Sequence, residues 1–220
     1  SGVNFLGLPV NQGGIGQTNY DIRIYEEAGG RVYHTSGDET GDFFDKVKPY
    51  LKDSDEVYFA GGESLITGEH YKMLDEWIRL GNTDLRLTYT TNFSVFKHKG
   101  KDVIEYWKKF KNIEIFASLD GMGRNLEYLR SGADWTEIEN NIRMLKAQVP
   151  HVRFNLTPTI SVWNAWHFPD FFEYLVKQKY IDPTSDCLRL NILTNPWWAN
   201  VGVLPSFYKD RLSMEEEDQY

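Results

Sequence analysis

At 220 residues, with an apolar fraction of 41%, a charged fraction of 25% and a formal net charge of −8, the chain has the make-up of a soluble globular protein with room for one sizeable core. It contains no run of about 18 apolar residues, so no membrane span is expected; its acidic balance excludes a nucleic-acid partner of the usual kind, which needs clustered Lys and Arg. Its one cysteine, Cys187, rules out an internal disulfide and fits a reducing, cytoplasmic setting.

The N-terminal stretch "SGVNFLGLPV" has no basic flank and no small-residue cleavage site, so it does not read as a signal peptide. Ser1 is not an initiator methionine, which leads to the expectation of a trimmed chain. "PVNQGGIGQTN" (Pro9–Asn19) is glycine-rich but lacks the Lys-Ser/Thr of a P-loop and the G-x-G-x-x-G spacing of a dinucleotide fingerprint. From Asp42 onward two periodicities alternate. Short β-branched or aromatic runs at Val57–Ala60, Leu85–Thr90, Ile113–Ser118, Val152–Ile160 and Leu188–Leu193 predict strands.

Helical spacing fills the intervals. "TGEHYKMLDEWIRLG" puts Tyr71, Leu74, Trp77 and Ile78 on one face, with Thr67 as N-cap and Gly81 as terminator. "KDVIEYWKKF" gives Val103, Ile104, Trp107 and Phe110. "DWTEIENNIRML" opens on Asp134 with Glu137 three residues on, in the manner of a capping box, and stripes Trp135, Ile138, Ile142 and Leu145. "FPDFFEYLVKQ" stripes Phe168, Phe171, Phe172 and Leu175, with Pro169 in the first turn. These aromatics are expected to pack helices on a sheet. The basic groups "FKHKGK" and "WKKFK", and the acidic "MEEEDQ", are expected to be solvated faces. Strand–helix alternation of this length predicts right-handed βαβ units and a parallel sheet. The expected class is therefore α/β, a full or partial barrel, with an open doubly wound sheet as the alternative.

In both architectures ligands sit at the carboxyl ends of the strands. The five endings are Gly61-Gly62-Glu63; Thr90-Thr91-Asn92; Ser118, Asp120 and Gly121; Asn155, Thr157, Thr159 and Asn164; and Asn191, Thr194 and Asn195. Each alone is explicable as turn chemistry. Together they would form a concave surface rich in donors and acceptors, suited to a polar small molecule. Two glycines at a strand end let a ligand approach the main chain, whose carbonyls can accept from a cation, and Glu63 would add a full negative charge. The plainer reading, that Gly61-Gly62 only turns the chain into a helix, stays open.

Five stretches also resemble a family. "YFAGGES" resembles the GGE motif of radical S-adenosylmethionine enzymes, and "ASLDG" (Ala117–Gly121) is similar to the SLDG signature of members with SPASM or twitch extensions. "YLRSGADWTEIENNIRML", "YTTNF" and "NLTPTISVWN" are similar to stretches found in order along those proteins. The resemblance runs from about residue 42 to 205. It implies a partial (β/α)6 TIM-like barrel of parallel strands with outer helices over 42–205, preceded by an N-terminal segment, 1–41, in the place of a first βα unit and cluster loop, and followed by a tail, 206–220. It implies S-adenosylmethionine as cofactor, with Gly61, Gly62 and Glu63 at the methionine ammonium. Ser118 and Asp120 would lie at the ribose or methionine end, Arg130 at the carboxylate, Asn92 at the third-strand ending, and Asn155 or Thr157 on the adenosine side. It further implies a [4Fe–4S] cluster, a 5′-deoxyadenosyl radical, and hydrogen abstraction from a substrate that in relatives is often a peptide or protein.

The departure is at the cluster, which needs thiolates. No cysteine precedes the GGE-like motif, and Cys187, beside "LRLNIL", reads as a buried, inert thiol. The expectations are that the cluster ligands lie upstream of Ser1, or that the chain is a cluster-less binding module. A metal-dependent barrel hydrolase fits less well, because His34, His70, His98, His151 and His167 avoid the strand ends and read as surface or helix-cap residues. A dinucleotide oxidoreductase lacks its glycine fingerprint.

Overall fold

The computed structural model describes residues 2–4, 32–34, 43–60 and 63–208, the first two stretches as backbone. Gly61 and Gly62, the "PVNQGGIGQTN" stretch and the acidic "MEEEDQ" lie outside the described residues. The chain divides into two compact units, one of Ser1–Ala117 with Asn141–Phe154, the other of Ser118–Asn140 with Asn155–Tyr220.

The first unit is built on a sheet. Strands β1 (Gly2–Asn4) and β2 (Val32–His34) pair antiparallel, and β1 pairs antiparallel with β3 (Glu56–Ala60). Strand β3 pairs parallel with β4 (Arg86–Thr91), from Glu56 opposite Arg86 to Phe59 opposite Tyr89. Strands β5 (Lys97–His98) and β6 (Lys101–Asp102) form a separate hairpin, so the "FKHKGK" run is folded back on itself. Strand β4 in turn pairs parallel with β7 (Asn112–Ala117), and the sheet order continues to β8 (Arg153–Leu156). The parallel staves with flanking helices bear out the α/β, partial TIM-like class; the two antiparallel edge strands were not expected. The predicted strand limits hold within a residue or two for β3, β4 and β7.

Helices α1 (Phe43–Val47) and α2 (Gly68–Leu80) flank β3 in the chain. Helix α2 buries Tyr71, Met73, Leu74 and Trp77 and leaves Ile78 half-buried, as a 3.6-residue period dictates. It ends where Gly81 takes φ 74°, which a glycine adopts freely; Gly81 N–H then donates to the Ile78 carbonyl and Asn82 N–H to that of Trp77. Thr67 does not cap it: its hydroxyl donates to the Ser64 carbonyl instead. The Trp77 indole donates to the Leu51 carbonyl at 3.0 Å, tying the preceding 3-10 turn to the helix. Helix α3 (Val103–Trp107) is capped by the Asp102 carboxylate on Ile104 N–H and buries Val103, Ile104 and Trp107, with Phe110 buried just beyond. Burying Trp77 and Trp107 completely contributes about 3–5 kcal/mol each against alanine.

One expectation fails inside this core. His70 is 1% exposed. Its ring meets Phe59 edge-on at 4.8 Å and shares a 3.1 Å hydrogen bond with the Tyr89 hydroxyl. Position 70 shares a helical face with 74 and 77, so the ring goes where the stripe goes.

The second unit holds α4 (Gly123–Leu129) and the start of α5 (Trp135–Gln148), with Asp134 accepting from Glu137 N–H as the capping-box reading predicts. Its other elements are β9 (Thr159–Ile160), α6 (Phe168–Lys177) and β10 (Asn191–Ile192). Phe168, Phe171 and Leu175 of α6 are buried, and Trp135 stands edge-on to Phe171 at 5.7 Å. The single strand predicted over Val152–Ile160 is two, β8 and β9, because Pro158 has no N–H to give a ladder. The strand predicted over Leu188–Leu193 is shorter, β10 pairing parallel with β9 beside an isolated Leu156–Leu188 bridge.

Candidate functional site

The strand endings supply two groups of polar side chains, one in each unit. In the first unit the chain leaves β3 and reaches Glu63, which is half-buried. One carboxylate oxygen, Oε1, accepts from the Thr91 hydroxyl at 2.8 Å and from Leu65 N–H at 3.4 Å, and Oε2 accepts from Asn92 N–H at 3.0 Å. Glu63 thus binds the carboxyl end of β4. All three donors are neutral. Burial pushes its pKa up, and the three hydrogen bonds only partly offset that. Beside it Ser64 is buried, with a hydroxyl that has no partner among the described residues.

The end of β4 is held firmly. Asn92 turns its side chain away from Glu63, its Oδ1 accepting from Ser94 N–H at 3.0 Å and the Ser94 hydroxyl at 2.6 Å. Phe93 follows at φ 63°, a left-handed conformation rare for a bulky residue, and is fully buried against Phe96 and Phe154. Asn141 donates to both the Phe93 and Ser94 carbonyls at 3.1 Å. This packing holds Asn92 N–H toward Glu63.

In the second unit Asp120 is the hub. Its Oδ2 accepts from Arg130 Nε at 2.7 Å, and its Oδ1 from Thr159 N–H at 2.7 Å. The fully buried Asn164 completes the node: its amide donates to the Asp120 carbonyl at 2.9 Å and the Thr159 carbonyl at 3.0 Å, while its oxygen accepts from Ser161 N–H at 2.7 Å. The His167 ring lies beside Gly121, where a Cβ would stand 3.7 Å from it, an ordinary van der Waals distance. Asn155 is buried, Ser118 is half-buried at the end of β7, and the Thr157 hydroxyl accepts from Asn191 at 3.0 Å.

Of the expected site residues, then, Glu63 meets Asn92, through its main chain, and Asp120 meets Arg130. Gly61 and Gly62 lie outside the described residues. The expectation had Arg130 turned to a ligand carboxylate; its guanidinium Nε is engaged by Asp120. Thr91, Thr159 and Asn164 were named among the strand endings but given no ligand contact, and Ser64 was not named.

A cavity of about 390 Å³ lies elsewhere, at the amino ends of β4, β7 and β8, lined by Arg86, Lys111, Glu114, His151 and Arg153 among others. Its cations already have partners: Arg86 at 2.9 Å and Arg153 at 3.6 Å from Glu114, and Lys111 at 2.7 Å from Asp84. That end of a parallel sheet is the structural end. Among the described residues no three metal-ligating side chains gather, and no helix is long and apolar enough to cross a membrane.

No family model and no curated protein matches the sequence. Among solved structures, the chain is similar to native anSMEcpe with bound AdoMet and Cp18Cys peptide (TM-score 0.48, 18% identity, 67% of this chain and 41% of that one). It is similar to the same protein with AdoMet and Kp18Cys peptide (0.47, 17%, 67% and 41%) and with AdoMet (0.48, 18%, 67% and 40%). The chain spans about two fifths of the length of these structures. Likeness at this level does not extend to function.

Proposed function

We propose that this chain is an S-adenosylmethionine-binding domain of the radical S-adenosylmethionine kind. The observation that carries the reading is Glu63: a half-buried carboxylate at the carboxyl ends of two parallel strands, held in place by neutral donors and paired with no cation among the described residues. An ammonium group is the ligand such a carboxylate lacks. A carboxylate has about four acceptor positions, and Glu63 uses three, so one remains for the methionine amine. Main-chain carbonyls at Gly61 and Gly62 would share the ammonium with Glu63.

The residues present do not fit a [4Fe–4S] cluster. Three thiolates are required, and the chain has one cysteine in all. Cys187 is buried, and burial pushes its thiol up, away from the thiolate form a metal needs. No reductive cleavage is assigned to these residues. Hydrogen abstraction from a peptide or protein substrate, implied by the resemblance for intact members, would need ligands from outside them. A second reading follows from the same observation: a cluster-less module that binds S-adenosylmethionine without cleaving it.

Titration calorimetry with S-adenosylmethionine tests the binding. Heat in the millimolar range or tighter is expected, weakened at least tenfold in Glu63→Gln. Absence of heat from the unaltered chain, or an unchanged affinity in the variant, ends the assignment. Anaerobic incubation with iron and sulfide is expected to leave this chain colourless under both readings; a brown product would overturn the statement that its residues do not fit a cluster.

A further inference from the structure

The second unit carries a surface that the cofactor reading does not use. Residues 154–169 and 190–208 contain no Asp, Glu, Lys or Arg, in a chain whose charged fraction is 25%. The two uncharged segments lie side by side: Val162 N–H donates to the Ala199 carbonyl at 3.0 Å, and Leu193 N–H to the Ile160 carbonyl at 2.9 Å. They expose rings rather than hide them. Trp163 and Trp198 meet edge to face at 5.6 Å, Trp166 and Tyr208 at 6.3 Å, and Phe207 and Tyr208 at 5.5 Å. Trp197, beside them, is 73% exposed, and each of the six rings is exposed by more than a third.

We propose that this aromatic face is a self-association surface on which two copies of the chain pair. Three arguments select a second copy. First, a two-fold interface sets each patch against itself, so any net charge on it would meet its own sign; in a chain of net charge −8, segments 154–169 and 190–208 bring no charge to such a meeting. Second, the six rings expose roughly 700 Å², close to the ~800 Å² per partner of a standard stable interface, before the neighbouring Leu190 and Ile192 are included. Third, Asn164, Asn191 and Asn200 already bond within the chain, which leaves few side-chain amides on these segments to recognise a sugar or other polar ligand on such rings.

Sedimentation equilibrium of the 220-residue chain, without cofactor, tests this independently of the binding reading. A reversible species of twice the 25.7 kDa chain mass is expected at micromolar concentration, strengthened by salt as the acidic surfaces are screened. Trp197→Glu should weaken the dimer at least tenfold with the far-UV circular dichroism unchanged. Trp163→Ser, a milder change, should weaken it less, and wild-type tryptophan emission should shift to shorter wavelength as concentration rises. A chain that stays monomeric to a hundred micromolar, or a dimer indifferent to Trp197→Glu, overturns the proposal; so does a wild-type emission maximum that does not move with concentration.

Discussion

Two carboxylates stand at strand ends in this protein, and they are treated oppositely. Asp120 has a guanidinium at 2.7 Å, a backbone N–H at 2.7 Å and a buried asparagine fastening its own carbonyl. Glu63 has a hydroxyl and two N–H groups and no cation among the described residues. A buried charge that is paired and hydrogen-bonded is part of the architecture; one that is hydrogen-bonded but unpaired is an electrostatic deficit. The difference separates a residue that builds a loop from one poised for a cationic ligand.

The largest expected effect is a background that must be removed before the contrast can be read by pH. His70 is fully buried among Phe59, Tyr71 and Tyr89, and burial, helped by the Lys101 charge, lowers its pKa to about 3 from an ordinary 6.5. Between those values the unfolded chain binds a proton that the folded chain refuses. Stability is therefore fully present above about pH 6.5 and falls as the pH drops toward 3, by up to about 1.4 kcal/mol per pH unit. His70→Phe should remove most of that acid sensitivity in urea melts from pH 7 to 4. An unchanged pH slope would mean that the ring is reached by water.

The next effect tests Asp120 as architecture. Asp120→Ala leaves Arg130 without its anion and the Thr159 N–H without an acceptor, at an expected cost of about 2–3 kcal/mol, less than for a fully buried pair because Arg130 is partly exposed. Urea unfolding at pH 7 measures it. A loss below about 0.5 kcal/mol would class the bridge with solvent-screened surface pairs and dissolve the contrast with Glu63.

The sequence carried the scaffold further than it carried the polar contacts. Helix α2 was legible because Tyr71, Leu74 and Trp77 repeat at helical spacing and Gly81 stops the run; β3, β4 and β7 were legible as β-branched and aromatic runs. His70 was misread because a titratable ring was treated as polar, although its spacing to Leu74 and Trp77 places it on the buried face. At the end of β4 the expectation named Asn92, and the side chain that meets Glu63 belongs to Thr91. Neighbouring strand residues face opposite ways, so a one-residue difference exchanges a side-chain contact for a main-chain one. The Asp120 node was not legible, since Arg130 and Thr159 reach it only through tertiary structure. Pro158, by contrast, was in plain view as the break between β8 and β9.

The smallest stability effect belongs to Glu63, and its sign is the sharpest test of the contrast. Its pKa is raised, so the folded chain holds the Glu63 proton more tightly than the unfolded chain does. That contribution is present at acid pH and lost as pH rises through the folded pKa. In the His70→Phe background, Glu63→Gln should therefore gain on the parent chain between pH 4.5 and 7, whereas Asp120→Asn should lose at pH 7. Ligand binding should run the other way: affinity for S-adenosylmethionine should rise across the same interval in the parent as the carboxylate ionises, and stay flat in Glu63→Gln. A residue kept at a cost to stability and repaid only when a cation arrives behaves as a binding group. If Glu63→Gln proves less stable than the parent at pH 7, the carboxylate belongs to the scaffold after all, and Glu63 and Asp120 are two versions of the same staple.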